Sequence, residues 1–297
     1  MGERVMRLDG KAIVVTGAGR GIGAAYAKAL GTAGARIVVN DIDAESAESV
    51  ADEIRAAGGD AIAEPSDIVR SEKAAALIDR CIAAFGAIDG LVNNAAIMLP
   101  ARLEQDSLEK LRAMIDVNIV GTFNCARAAI EPMLAAGKGA IINVTSGAQT
   151  GQTYLGGYGA TKGAVASFTY AWASELRDRG IRVNAISPMA ATDMSGVMGT
   201  HLRDQGIARA TGPAMPTPET NAPVMVYLLS DRAAGITGQV VRIDGTRLSL
   251  MSHPAIRAPI IERDVWTADA VADAFDATLA ANQLPTDVHL YEIGTVI

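Results

Sequence analysis

Tyr158 and Lys162 stand four residues apart in the segment YGATK, the spacing that puts two side chains on one face of a helix. A phenol beside an ammonium can do proton chemistry. A free tyrosine, with a pKa of about 10, is a poor base near neutrality, but a neighbouring cation favours its phenolate, each tenfold gain in ionisation being worth about 1.4 kcal/mol. An exposed pair on an ordinary helix has the same spacing, so the surroundings must decide. Ser146 lies twelve residues upstream of Tyr158, at the end of an apolar run.

A second chemistry is offered by TGAGRGIG, residues 16–23, where Gly17, Gly19, Gly21 and Gly23 follow a short β-branched run. Glycines there permit positive φ and close approach to the main chain. A strand, a tight turn and a helix in succession aim free N–H groups and the positive end of the helix dipole at one point, where a pyrophosphate is stabilised. A structural corner would use glycine in the same way. Asp41 lies 18 residues beyond Gly23, about where a carboxylate meets the adenosine ribose of a dinucleotide. It would accept hydrogen bonds from both ribose hydroxyls. A 2′-phosphate would meet like charge, at about 4 kcal/mol per unit charge for about 4 Å and an effective dielectric near 20, before solvent screening. Arg20 would offset part of that repulsion, and NAD is expected over NADP. Asp41 as a cap for the helix from Ala44 is the plainer alternative.

The elements that must position these residues alternate along the chain. Strands are predicted over residues 12–15, 35–40, 61–64, 88–92, 140–145 and 239–243. Helices are predicted over 24–30, 44–57, 71–85, 108–133, 219–229 and 267–280. Repeated βα units at this spacing require an α/β fold with a parallel sheet and helices on both faces. Ligands then bind at the carboxyl ends of the strands, which gathers Gly17, Asp41, Asp67 with Ile68, and the NNAA turn containing Asn94 on one edge. Asn118 falls inside the long helix, where it must face solvent or bond something the fold needs. Residues 187–218, rich in Met, Gly, Thr and Pro, lack periodicity and are expected to form an irregular lid, with Met189, Met194 and Met198 as candidate pocket walls.

The remaining bounds come from composition. With 297 residues and 49% hydrophobic content, one domain over residues 1–245 is expected, carrying a C-terminal extension, 246–297, with an apolar end at 289–297. A net charge of −7 argues against nucleic acid or an anionic membrane as partner. Cys81 and Cys125 read as buried thiols, and His201, His253 and His289 lack ligand spacing, so no metal is expected. The N-terminus has no signal-like apolar core and no run spans a bilayer, so a soluble, cytoplasmic protein is expected.

Together TGAGRGIG, NNAA, Asn118, Ser146 and YGATK resemble the short-chain dehydrogenase/reductase family over residues 8–244. The resemblance implies a Rossmann-type doubly wound parallel sheet of about seven strands, assembled as tetramers or dimers through the helices holding Asn118 and Tyr158. It implies that Tyr158 is the general acid/base, that Ser146 holds the substrate oxygen, and that Lys162 lowers the tyrosine pKa and binds the nicotinamide ribose. Asn118 would steady a water in the proton relay. The cofactor would rest on Gly17, Arg20, Gly21, Ile22, Gly23 and Asp41, with Asp67, Ile68, Asn94 and Pro188 along its length. IVVND, PMAATDMS at 188–195 and WTADAVADAF at 266–275 look most like the NAD-using (3R)-hydroxyacyl-CoA dehydrogenase part of peroxisomal multifunctional enzymes. Three departures stand out. NNAA replaces NNAG, Met189 follows Pro188 in place of Gly, and the Ser146 to Tyr158 loop is one residue short, which leaves Thr145 at the usual separation.

The expected activity is reversible hydride transfer between NAD and a secondary alcohol or ketone, with a 3-hydroxyacyl thioester as substrate. A hydroxysteroid or other bulky apolar alcohol is the alternative, favoured by the methionines and by a lid whose only basic residues are Arg203 and Arg209. A non-catalytic dinucleotide-binding regulator is the alternative of another class.

Overall fold

The computed structural model describes residues 6–206, 214–254 and 259–282. The predicted alternation holds through the first half: β1 (Ala12–Val15), α1 (Gly21–Thr32), β2 (Arg36–Asp41), α2 (Ala44–Ala56), β3 (Asp60–Pro65), α3 (Ser71–Phe85) and β4 (Gly90–Asn93). β1 and β4 are short and fully buried because both of their faces are covered, whereas β3, at the edge of the sheet, is only partly buried. Asp43, not Asp41, caps α2, accepting from the N–H groups of Glu45 and Ser46.

The predicted helix over 108–133 is three pieces on one course: α4 (Leu108–Ile115), a π turn (Asp116–Gly121) and α5 (Thr122–Ala136). At Gly121 a Cβ would lie 2.7 Å from Ile68, so the helix passes the loop after β3 closely there. Beyond it run β5 (Gly139–Val144), α6 (Gly156–Leu176) and β6 (Ile181–Met189).

The region expected to be irregular contains a helix, α7 (Asp193–Asp204), started by a reciprocal cap between Thr192 and Ser195. Two glycines and a scattered apolar pattern hid it. Residues 207–213, with Arg209, lie outside the described residues, as do 289–297 with His289. Then come α8 (Ala222–Leu229), β7 (Val240–Asp244), β8 (Arg247–Met251) and α9 (Ala268–Ala274).

The sheet has eight strands in the order β3-β2-β1-β4-β5-β6-β7-β8. Seven are parallel. The eighth, β8, is antiparallel to β7 with Asp244 opposite Arg247, and it was not expected, since its residues are largely exposed. One core, including Tyr26, Leu30, Val50 and Leu228, packs α1, α2 and α8 on one face. A second, including Leu77, Cys81, Cys125, Met133 and Leu176, packs α3, α5 and α6 on the other. The strand order reverses between β1 and β4, and the crevice over that point is where this topology takes a ligand. Among the described residues no helix is long and apolar enough to cross a membrane, and no three His, Cys, Asp or Glu side chains group as metal ligands.

Candidate active site

One cavity of about 780 Å³ runs along the carboxyl edge of the sheet, lined from the glycine turn at one end to the segment after β6 at the other. Gly17 and Gly21 take φ of 60° and 57°, which glycine adopts without strain. A Cβ on Gly17 would stand 2.7 Å from Ala95, and one on Gly23 would collide with the Gly17 carbonyl and the Asn94 amide. The turn is therefore drawn tight against the NNAA segment. Asn94 stitches the two together, its Nδ2 donating to the carbonyls of Thr16 and Gly17 at 2.9 Å each. Thr16 completes the joint, its hydroxyl accepting the N–H groups of Asn94 and Ala95 at 3.1 and 3.2 Å.

The fit of a dinucleotide can be tested on these residues. At the start of α1, Arg20 makes no side-chain cap and the first turn holds no acidic residue, so the N–H groups there are left to a ligand. Asp41 lines the cavity and anchors the turn, accepting the Gly19 N–H at 3.0 Å. Exposed Ile42 follows it in the chain and lines the same cavity, as do Ile68 and Val69. Asn124 of α5 donates to the carbonyls of Ile68 and Val69 at 3.1 and 2.9 Å, while Asp67 accepts the Val69 N–H. A phosphate cradle, a carboxylate one strand over and an apolar slot suit a dinucleotide.

At the other end, α6 brings Tyr158 and Lys162 to one face, both buried. Ser146 hydrogen-bonds the Tyr158 hydroxyl, and its own Oγ accepts the Ala148 N–H at 3.2 Å. Thr145 is committed elsewhere: its hydroxyl donates to the Ile186 carbonyl at 3.1 Å. Despite the shortened loop, Ser146 is the hydroxyl that meets the tyrosine.

The expected electrostatics of the pair need correction. Burial pushes the Tyr158 phenol up to about 12, against a smaller opposing effect of the Ser146 hydrogen bond. Lys162 does not pull it down. Its ammonium donates to the Val144 carbonyl at 2.7 Å, with Nζ 5.8 Å from the centre of the phenol ring, and burial without a carboxylate partner lowers its own pKa to about 8. In this state the protein holds a neutral phenol beside a weakened ammonium.

Asn118 is completely buried and does not line the cavity. Its side chain accepts the Ile97 N–H at 2.8 Å and donates to the Ile97 carbonyl at 3.0 Å and to Thr161 Oγ1 at 2.9 Å. It couples the π turn to α6 and to the loop after β4. Arg20, Gly21, Ile22 and Pro188 line the cavity as expected. Neither residue type nor spacing singled out Ile42, Met98, Met215 or Arg242, which line the same cavity from distant segments. Only the tertiary path brings them in.

Met98, Leu155, Met194 and Met198 pack with Tyr158, and Met189 and Met215 line the same cavity, together with the polar Gln152, Thr192 and Asp193. Tyr154, just before α6, takes φ of 69°, unusual for an aromatic residue, and its ring meets His201 of α7 edge-on at 5.3 Å and Arg102 at 4.9 Å. That cluster ties α7 over the pocket.

The sequence model for short chain dehydrogenases matches residues 11–202. The chain is 39% identical to a cis-4-hydroxycyclohexanecarboxylate dehydrogenase of Sinomonas cyclohexanicum, over 78% of this chain and 94% of that one. It is equally 39% identical to a 3-oxoacyl-[acyl-carrier-protein] reductase of Synechocystis sp., over 80% and 97%. Among solved structures it is similar to a short chain dehydrogenase from Mycobacterium avium, with a TM-score of 0.82, 33% identity and coverage of 96% and 99%. It is also similar to a 7α-hydroxysteroid dehydrogenase complexed with NADH and 7-oxo glycochenodeoxycholic acid, with a TM-score of 0.75, 31% identity and coverage of 83% and 97%. The chain belongs to the short-chain dehydrogenase family, the NAD(P)-dependent oxidoreductases that act on CH–OH groups.

Proposed function

We propose that the protein is an NAD-linked dehydrogenase of secondary alcohols whose bodies are bulky and apolar. The observation that carries this reading is the wall of methionines and leucines beside the Ser146 and Tyr158 hydroxyls, a surface that adapts to large apolar shapes. The names of the ring-acting relatives, the hydroxycyclohexanecarboxylate and 7α-hydroxysteroid dehydrogenases, support it. A 3-hydroxyacyl thioester is the second reading, favoured by the acyl-carrier reductase relative. Against it, the described part of the lid has Arg203 as its one arginine or lysine, beside Asp193 and Asp204, thin provision for a CoA phosphate.

A bound nicotinamide dinucleotide supplies the acceptor for the hydride lost from the alcohol carbon. Ser146 donates to the substrate oxygen and orients it, and Tyr158 Oη takes the hydroxyl proton as the carbonyl forms. Lys162, held on the Val144 carbonyl with Nζ 5.8 Å from the centre of the phenol ring, would bind the nicotinamide ribose. Asn118 is a positioning residue, acting through Ile97 and Thr161. Asp41 would accept the ribose hydroxyls of the cofactor and would disfavour a 2′-phosphate, the basis for NAD over NADP. We further propose that residues 1–245 and their extension work as one unit and that the protein assembles as a homotetramer or homodimer.

Fluorescence of NADH over a panel of ring alcohols, a hydroxysteroid and a 3-hydroxyacyl-CoA, with both cofactors, tests the reading. Higher kcat/KM on the ring alcohols with NAD is expected, and higher kcat/KM on the acyl-CoA would replace it with the second reading. Tyr158→Phe should lower kcat about 100-fold or more while NADH still binds. Turnover retained in that variant would remove Tyr158 from the mechanism.

A further inference from the structure

Arg242 is the one charged residue that the floor of the substrate half contributes from β7, and neither the sequence motifs nor the chemistry above uses it. Its side chain is 15% exposed, and it lines the same cavity as Ser146 and Tyr158. Among the described residues two other cations line that cavity. Arg20 belongs to the glycine turn, and Lys162 is bound to the Val144 carbonyl.

Its direction follows from strand alternation. Ile181 and Val183 of β6 pack with Ala173 and Leu176 of α6, so Ser187, an even number of residues further on, faces the same side. Arg242 is the register partner of Ser187 and donates to its hydroxyl at 3.3 Å. The guanidinium therefore enters from the α6 side of the sheet, as Tyr158 and Lys162 do.

Its reach also follows. Val144 of β5 pairs with Ile186 of β6, so Ser146 stands level with Pro188, itself opposite Ile243 of β7. Strands are spaced about 4.8 Å apart, which puts the backbone of Arg242 about 10 Å sideways from that of Ser146. A ring-sized substrate spans the gap between the two side chains. Of the five N–H donors on a guanidinium, the Ser187 hydroxyl and the half-exposed Asp244 carboxylate, at 3.3 Å, take one each.

Resting on the reading of the site as an alcohol dehydrogenase, we infer that Arg242 recognises a carboxylate on the substrate, remote from its alcohol. The substrate class is then a hydroxy acid with an apolar body: methionine walls take the ring, and Arg242 pairs with the acid end. With only two of its five donors taken, the largely buried Arg242 guanidinium keeps unused donors, and a substrate carboxylate satisfies them bidentately.

The test separates this claim from the activity. Calorimetry on the full chain, with and without NADH, compares cyclohexanecarboxylate with cyclohexanecarboxamide, neither of which can be oxidised. The carboxylate is expected to bind about tenfold tighter or more, as a charge-assisted pair would give. In Arg242→Gln the preference should vanish while amide binding persists, and Arg242→Lys should keep part of it. Equal binding of the two by the wild-type protein, or binding of neither, overturns the inference without recourse to any variant. So does an Arg242→Gln protein that loses both ligands equally, because Arg242 is then only a strut between β6 and β7. Carboxylate-selective binding with no oxidation of any hydroxy acid upholds Arg242 and overturns the alcohol-dehydrogenase reading instead. Ring alcohols oxidised as fast as their hydroxy-acid counterparts leave that reading standing and overturn this inference.

Discussion

At the scale of single residues, the site keeps two titratable groups away from their ordinary behaviour, and the cause is burial. Lys162 is drawn from 10.5 to about 8 and Tyr158 is raised from 10 to about 12. The consequence for stability has a definite sign. Between about pH 8 and 10 the unfolded chain holds the lysine proton and the folded one has released it, so stability rises with pH. Above about pH 10 the folded chain holds the Tyr158 proton that the unfolded chain loses, and the trend reverses. Below pH 8 the buried ammonium costs about 3 kcal/mol, at about 1.4 kcal/mol for each tenfold change in its ionisation equilibrium. Lys162→Met should therefore flatten the rise in Tm of the cofactor-free protein between pH 8 and 10, as scanning calorimetry would show. An unchanged slope would mean that Lys162 titrates as an ordinary surface lysine.

At the scale of elements, contacts between small residues set the distance between the Ser146 and Tyr158 side chains. A Cβ at Gly159 would collide with the Ala148 carbonyl, so the first turn of α6 lies directly on the short 3₁₀ turn Gly147–Thr150 that follows Ser146. Gly159→Ala should push the two apart and separate the Ser146 and Tyr158 hydroxyls. A fall in kcat of about tenfold or more is expected, with cofactor affinity within a few-fold of wild type, because displacements near 1 Å are costly in the reacting geometry alone. Equal losses in both would point to general damage. The same scale shows where pattern reading works. Runs such as AIVV and AIINV announce strands because both faces are buried. α7 stayed hidden because its cap and its seat over the pocket, more than its own apolar spacing, hold it in helical form. The π turn at Asn118 was equally hidden, since the apolar spacing of residues 108–133 is that of a continuous helix.

At the scale of the whole molecule, the extension beyond Gly245 alters the sheet. β8 pairs with the whole of β7 and covers an edge that would otherwise present free N–H and C=O groups, and His253 packs on Tyr170 of α6 at 4.1 Å. Ending the chain after Gly245 should lower Tm by about 2–4 °C for each kcal/mol lost and increase association through the bared edge. Calorimetry and light scattering would measure both, and a truncated protein with unchanged Tm would show that β8 is decoration.

The glycine turn, Asp41, Ser146, Tyr158 and Lys162 were recognisable from residue types and spacing, because local turns and helix periodicity place them whatever the rest of the chain does. The layered parallel sheet was recognisable too, since repeated buried strands and amphipathic helices have few other ways to pack. Three things belonged to the tertiary structure alone. Burial, which depends on every neighbour at once, set the sign of the Tyr158 shift. Competition for the Ile186 carbonyl removed Thr145 as the partner of Tyr158. Strand register, joining residues some fifty positions apart, brought Arg242 to the substrate pocket.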